Sequence, residues 1–158
     1  MASKKIERGL VVVGVDGSAQ SIAALHWAAR YAAATGAAVR AVLAWHYPSA
    51  AAQPPVGLAP ASVRTEIEAT MQGVLNDAVA QAFPDRSPAE LEARLSYGHP
   101  AQVLIDESKE ADLLVVGNSG HGAFTGMLVG SVSNHCVTSA FCPVTVVRGT
   151  EAGDETSR

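Results

Sequence analysis

Five short apolar runs, separated by segments patterned as helices, constrain the fold of this chain more than any other feature. The runs are LVVVGV (10–15), AVRAVLAWHY (38–47), LEARLSYG (91–98), DLLVVG (112–117) and CPVTVVR (142–148). Continuous β-branched runs such as the first and fourth read as strands buried on both faces, as in a parallel sheet. LEARLSYG alternates instead, which places it nearer an edge. Between the first two runs lies DGSAQSIAALHWAARYAAATG, with Ser18 as a helix N-cap and Gly36 at the C-terminal glycine position. Ile22, Leu25 and Ala29 recur there at helical spacing. A second helix is expected from Ser62 to Phe83, with Val63, Ile67, Met71, Leu75 and Val79 on one stripe. His99-Pro100 opens a short third helix that carries Val103 and Leu104 and ends near Glu110. SVSNHCVTSAF (131–141) reads as a fourth.

The element order is therefore β-α-β-α-β-α-β-α-β. Regular alternation predicts an α/β fold, an open five-stranded parallel sheet with helices on both faces and right-handed crossovers. With the common strand order 3-2-1-4-5, a Rossmann-like arrangement, the ligand crevice lies beyond the carboxyl ends of strands one and four. Those ends are GVDGS and GNSGHG. The expected organisation is one domain over residues 9–148, with flexible tails at 1–8 and 149–158. PSAAAQPPVGLAPAS, with Pro48, Pro54, Pro55 and Pro60, reads as an extended surface loop.

The totals narrow the function. The chain has 158 residues, is 48% hydrophobic and carries a formal charge of −4. Without a basic run, this balance argues against nucleic acid as a partner. No apolar stretch reaches the ~18 residues of a membrane span. MASKKIERGL bears charge without a long apolar region, and Cys136 and Cys142 lack metal-ligand or CxxC spacing. A cytoplasmic protein with both thiols reduced is expected. His26, His46, His99 and His135 are scattered over separate elements, so no metal site is expected. Trp27 and Trp45 read as packing residues.

The remaining feature is the loop after the fourth strand, where five glycines fall between Gly117 and Gly130. Glycine at such density serves a sharp turn or a close approach. A Walker A loop fails because Ala123 stands where Lys is needed. A dinucleotide fingerprint fails because its third glycine comes late, at Gly126, and after the wrong strand. A nucleophile elbow fails because His121 replaces the last glycine of G-x-S-x-G. What does fit is Gly117, two residues, Gly120, nine residues, Gly130-Ser131. This G-x2-G-x9-G-S pattern resembles the nucleotide-binding signature of the universal stress protein family. VVVGVDGS, TGMLVGSVSNHC and CPVTVV extend the resemblance over nearly the whole chain.

The resemblance implies an adenine nucleotide, ATP or else ADP or AMP, with Mg²⁺ held through the phosphates. Gly130, Ser131, Val132 and Ser133 open a helix whose free amides and positive dipole end suit an anion. Ser131 and Ser133 add hydroxyls, and Gly117, Asn118, Gly120, His121 and Gly122 form the loop that would approach the same phosphates. A second reading has Ser131 only capping its helix. Asp16 would accept from ribose or base, with Ser18 beside it; its alternative is to cap the first helix. Gly14 leaves room for the ligand, and the residue matching the family's adenine contact on strand two is about Ala44. Ser119 and His121 fill places where family members often carry a basic residue, which leaves the choice among ATP, ADP, AMP and a cyclic nucleotide open. His121 has the alternative reading of a solvated loop residue.

No Walker lysine, general base or acidic metal pair converges on the phosphates, so catalytic residues are not assigned. The expected function is a nucleotide-dependent regulatory protein of the stress response with slow or no hydrolysis. The alternatives are a weak ATP hydrolase and a nucleotide-free interaction scaffold. Family members pair through the last strand, so a homodimer through residues 143–148 is expected, together with a regulatory protein partner the sequence does not name.

Overall fold

A computed structural model describes residues 8–47, 61–88, 90–120 and 129–149. The strands are β1 (Leu10–Gly14), β2 (Ala38–Trp45), β3 (Leu91–Tyr97), β4 (Leu113–Gly117) and β5 (Val144–Val147). The helices are α1 (Ala19–Thr35), α2 (Ala61–Ala82), α3 (Pro100–Glu107) and α4 (Ser131–Ser139). All strand pairs are parallel, as the alternation predicts, and the order is β3-β2-β1-β4-β5, the common order expected for such a chain. β3 and β5 are the two edges.

Strand periodicity divides the core into two layers. Val11, Val13 and Val115 face α1 and α2 in one cluster, while Val12, Leu114 and Val116 face α3 and α4 in the other. β1 and β4 are thus apolar on both faces because a helix layer covers each. The terminal signals act as read. Ser18 accepts from the Ser21 amide at 3.2 Å. Gly36, at φ +76°, closes α1 by donating to Ala32 O at 2.8 Å. His99 stands at the N-cap of α3, with Pro100 just inside.

Two helix stripes differ from expectation. α1 buries Ser21, Ala24, Leu25, Ala28 and Ala32; of the expected row only Leu25 is buried, and Ile22 and Ala29 are half-buried. Small side chains let α1 lie close to the sheet, and Ile22 is left at the rim of the core. In α2 the buried residues are Leu75, Ala78 and Ala82; Ile67 and Met71 are half-buried and Val63 is exposed. The first half of α2 extends beyond the sheet it packs on.

Close packing also explains two glycines. A Cβ on Gly14 would lie 2.8 Å from Leu104 of α3, and one on Gly117 would lie 2.9 Å from Gln20 Cβ and 3.0 Å from the Gln20 carbonyl carbon of α1. The strand ends carry no side chain because helices press on them. Gly117→Ala should therefore lower unfolding free energy by about 1–3 kcal/mol, since the backbone of Gln20 cannot move aside as a flexible side chain could. A urea midpoint equal to wild type would contradict this.

Cys136 and Cys142 are free. Burial pushes the Cys136 thiol up to about 11 and Cys142 in the same direction, so neither is poised as a nucleophile. Among the described residues, no helix is long and apolar enough to cross a membrane.

Candidate functional site

The sheet order reverses between β1 and β4, and a cleft of about 350 Å³ opens beyond their carboxyl ends. Ten of the residues singled out from the sequence line it: Gly14, Asp16, Ser18, Ala44, Gly117, Gly120, Gly130, Ser131, Val132 and Ser133. Asn118 does not. Its backbone does the work instead: its carbonyl accepts from Gly130 N at 2.6 Å and its N–H donates to Val147 O at 2.9 Å. Among the described residues, the buried Asn118 Oδ1 has no hydrogen-bond partner. His121 and Gly122 lie outside the described residues.

The polar end of the cleft is the start of α4. Gly130, in an extended conformation, is the N-cap, and no side chain caps the helix. Ser131 is thus the first helical residue and does not cap. The first intrahelical bond runs from Asn134 N to Gly130 O at 2.9 Å. Among the described residues, no acceptor meets the amides of Ser131, Val132 and Ser133. These are the orphan donors of a helix N-terminus, and they carry its partial positive charge. Ser133 contributes differently from expectation: its hydroxyl donates to Gly117 O at 2.6 Å, tying the end of β4 to α4. That proton is committed to the scaffold.

Across the cleft, the Asp16 carboxylate accepts from Ser18 N at 2.9 Å through Oδ1. Ser18 in turn caps α1, and the Ser21 hydroxyl donates to Ser18 O at 2.9 Å. This chain of short-range bonds fixes the carboxylate at the cleft wall. A Cβ on Gly120 would land on Asp16 Oδ2, so glycine there lets the β4 turn close against Asp16. Among the described lining residues, Asp16 is the one charged side chain.

The other end is apolar, lined by Val42, Ala44, Pro100 and Leu104. Ser119 of the glycine loop also lines the cleft; the sequence reading missed Val15, Ser21, Val42, Pro100, Leu104 and Val116 as lining residues. The signal for Pro100 was present: a helix that opens directly after β3 starts at the same end of the sheet as the cleft. The site thus pairs a helix N-terminus, whose amides suit an anion, with an apolar slot.

The strand order and the cleft at its switch point define an open α/β protein of the doubly wound class, in which ligands sit beyond the carboxyl ends of the strands. The model of the universal stress protein family matches residues 8–148, and the chain belongs to that family. A universal stress protein of Mycolicibacterium smegmatis is 36% identical over 141 residues, covering 87% of this chain and 45% of its own. One from Mycobacterium tuberculosis strain H37Rv is 34% identical, covering 95% of this chain and 51% of its own. The chain spans about half the length of these curated relatives. Among solved structures, UspA of Lactobacillus plantarum superposes with a TM-score of 0.74 at 27% identity, covering 89% of this chain and 97% of that one. A universal stress protein in complex with cAMP superposes with a TM-score of 0.66 at 28% identity, covering 90% and 98%.

Proposed function

We propose that this chain binds an adenine nucleotide, with ATP the first candidate, and acts as a nucleotide-dependent regulatory protein. The observation that carries the reading is the start of α4, where three amides lack an acceptor among the described residues and open onto a cleft with an apolar far end. Phosphates would sit on Gly130–Ser133 and the base against Val42, Ala44 and Pro100. Asp16 would take the ribose hydroxyls between them. The solved relative with cAMP supports the class of ligand. Mg²⁺ would arrive on the phosphates, because the described residues offer no cluster of three or more metal-ligating side chains. It would also offset repulsion between the phosphates and Asp16.

Hydrolysis should be slow or absent. Asp16 is the one carboxylate among the described lining residues, and it is engaged by Ser18 N–H. Fast phosphoryl transfer requires a positioned base and strong charge stabilisation. Two free thiols fit a reducing cytoplasm, where a protein partner would read the loaded or empty state. Calorimetric titration with ATP, ADP, AMP and cAMP in the presence of Mg²⁺ tests the reading. Binding of one nucleotide per chain is expected, and a flat titration with all four would defeat it.

The same reading includes a homodimer through the β5 edge. Leu114 N–H donates to Pro143 O at 3.0 Å and Asn118 N–H to Val147 O at 2.9 Å. In a parallel ladder the partners alternate, so the amides of Thr145 and Val147 face β4 and those of Val144 and Val146 face outward. Val146→Pro removes an outward donor and leaves the inward ladder intact. Light scattering should show a monomer; an unchanged dimer would remove β5 as the interface.

A further inference from the structure

The base end of the cleft is not closed. Ala44 and Pro100, which bound its apolar slot, also line a second cavity of about 540 Å³. This cavity runs outward between the end of β2 and the first half of α2. Trp45, Ile67 and Met71 line its apolar side, and the exposed His46, Glu66 and Thr70 line its open side. Trp45 is only 4% exposed and packs edge-on against Tyr97, so its position is set by the core. Met71, by contrast, has a flexible thioether chain that adapts to different shapes.

The direction of a bound nucleotide follows from its fixed end. Phosphates on the start of α4 lie on the β4 side, so the base lies on the β2 side, against Ala44. In adenine the 6-amino group is the position remote from the ribose-bearing nitrogen. With that edge turned toward β2, it would face Ala44 and Pro100, the two residues the cleft shares with the second cavity. Unsubstituted adenine would leave that cavity unfilled.

Resting on the nucleotide reading above, we propose that the site accepts adenine nucleotides bearing an apolar substituent on the 6-amino nitrogen, and that Ile67, Met71 and Trp45 receive the substituent. The ligand class is thus an N6-alkyl or N6-aryl adenine nucleotide. Apolar burial of the added group supplies the recognition.

The test compares ATP with N6-benzyl-ATP by calorimetry on wild type and on Thr70→Trp, which places an indole over the cavity from the exposed face of α2. Wild type should bind N6-benzyl-ATP at least as tightly as ATP, and Thr70→Trp should weaken the benzyl compound by about tenfold while leaving ATP unchanged. Ile67→Trp, which fills the cavity from its apolar side, should give the same pattern if it folds, as judged by circular dichroism. If wild type binds ATP but binds the benzyl compound about tenfold more weakly, the base end is closed and the proposal falls. It also falls if Thr70→Trp binds both compounds as wild type does, because the substituent would then point into solvent. If neither compound binds wild type, the nucleotide reading itself fails.

Discussion

Ser131→Glu should abolish useful nucleotide binding while leaving the fold as stable as wild type or slightly more stable. Ser131 is the first residue of α4 and is exposed at the mouth of the cleft. A carboxylate there meets the unpaired amides and the positive end of the helix dipole, which stabilises the folded chain by about 0.3–1 kcal/mol. The same carboxylate occupies the anion position and repels incoming phosphates, so ATP affinity should fall by about 100-fold or more. The two effects have opposite signs, and this separates a site effect from misfolding. Ser131→Ala removes only a hydroxyl and should cost about tenfold at most. A Glu variant that binds ATP within about threefold of wild type would move the phosphates away from α4.

Leu25→Ala should be among the most damaging single truncations, with Leu75 and Leu114 the other fully buried leucines of the described residues. Leu25 is fully buried on α1, and its cluster includes Val11 and Val13 of β1 and Leu75 of α2. Removing its branch leaves a cavity where the helix layer meets the sheet, at a cost of about 2–5 kcal/mol. Against a typical total of about 5–15 kcal/mol, this is a large fraction. Urea denaturation should show a lower midpoint at an unchanged slope. Saturating ATP should raise the midpoints of wild type and variant alike, because a ligand that binds only the native state stabilises it by mass action. A loss below about 1 kcal/mol would mean that α1 collapses onto the space, and that its small-residue packing is looser than described.

Strand positions, the starts of α1 and α3, and the α1 caps were legible because each rests on local chemistry: β-branched runs, Ser18, Gly36 and Pro100; the strand order followed only from the common arrangement of such alternating chains. The helix stripes were less so. α1 is so rich in alanine that apolar periodicity has little contrast, and the buried row was chosen by size, with Ala24, Ala28 and Ala32 admitting close approach. Leu25 was found by hydrophobicity, but the neighbours that share its buried face are small residues, and Ile22 is left at the core's rim. In α2, Val63 continues the periodic row but extends past the sheet, which periodicity cannot show.

The site divides in the same way. The G-x2-G-x9-G-S spacing located the cleft, because it encodes a turn and a helix start. It did not say what each glycine approaches. Gly117 and Gly14 accommodate Gln20 and Leu104, and Gly120 accommodates Asp16. A missing side chain signals proximity without naming the neighbour, which belongs to tertiary structure. Whether Ser131 caps α4 turned on a one-residue shift in the helix start, finer than a sequence pattern resolves. The role of Ser133 depended on Gly117 O, sixteen residues away. Val42 and Leu104 entered the lining through sheet order and the placement of α3, and neither carries a polar signal.

The central claim is that the cleft at the switch point holds an adenine nucleotide. The most direct measurement is the nucleotide content of the purified protein. The chain would be prepared without added nucleotide and denatured, and the supernatant separated by anion-exchange chromatography, with Ser131→Glu run in parallel. The account predicts an adenine nucleotide at about one per chain in wild type, or stoichiometric uptake when ATP and Mg²⁺ are supplied, and none in the variant. A wild-type protein that is empty and stays empty with ATP and Mg²⁺ would contradict it and favour an interaction scaffold.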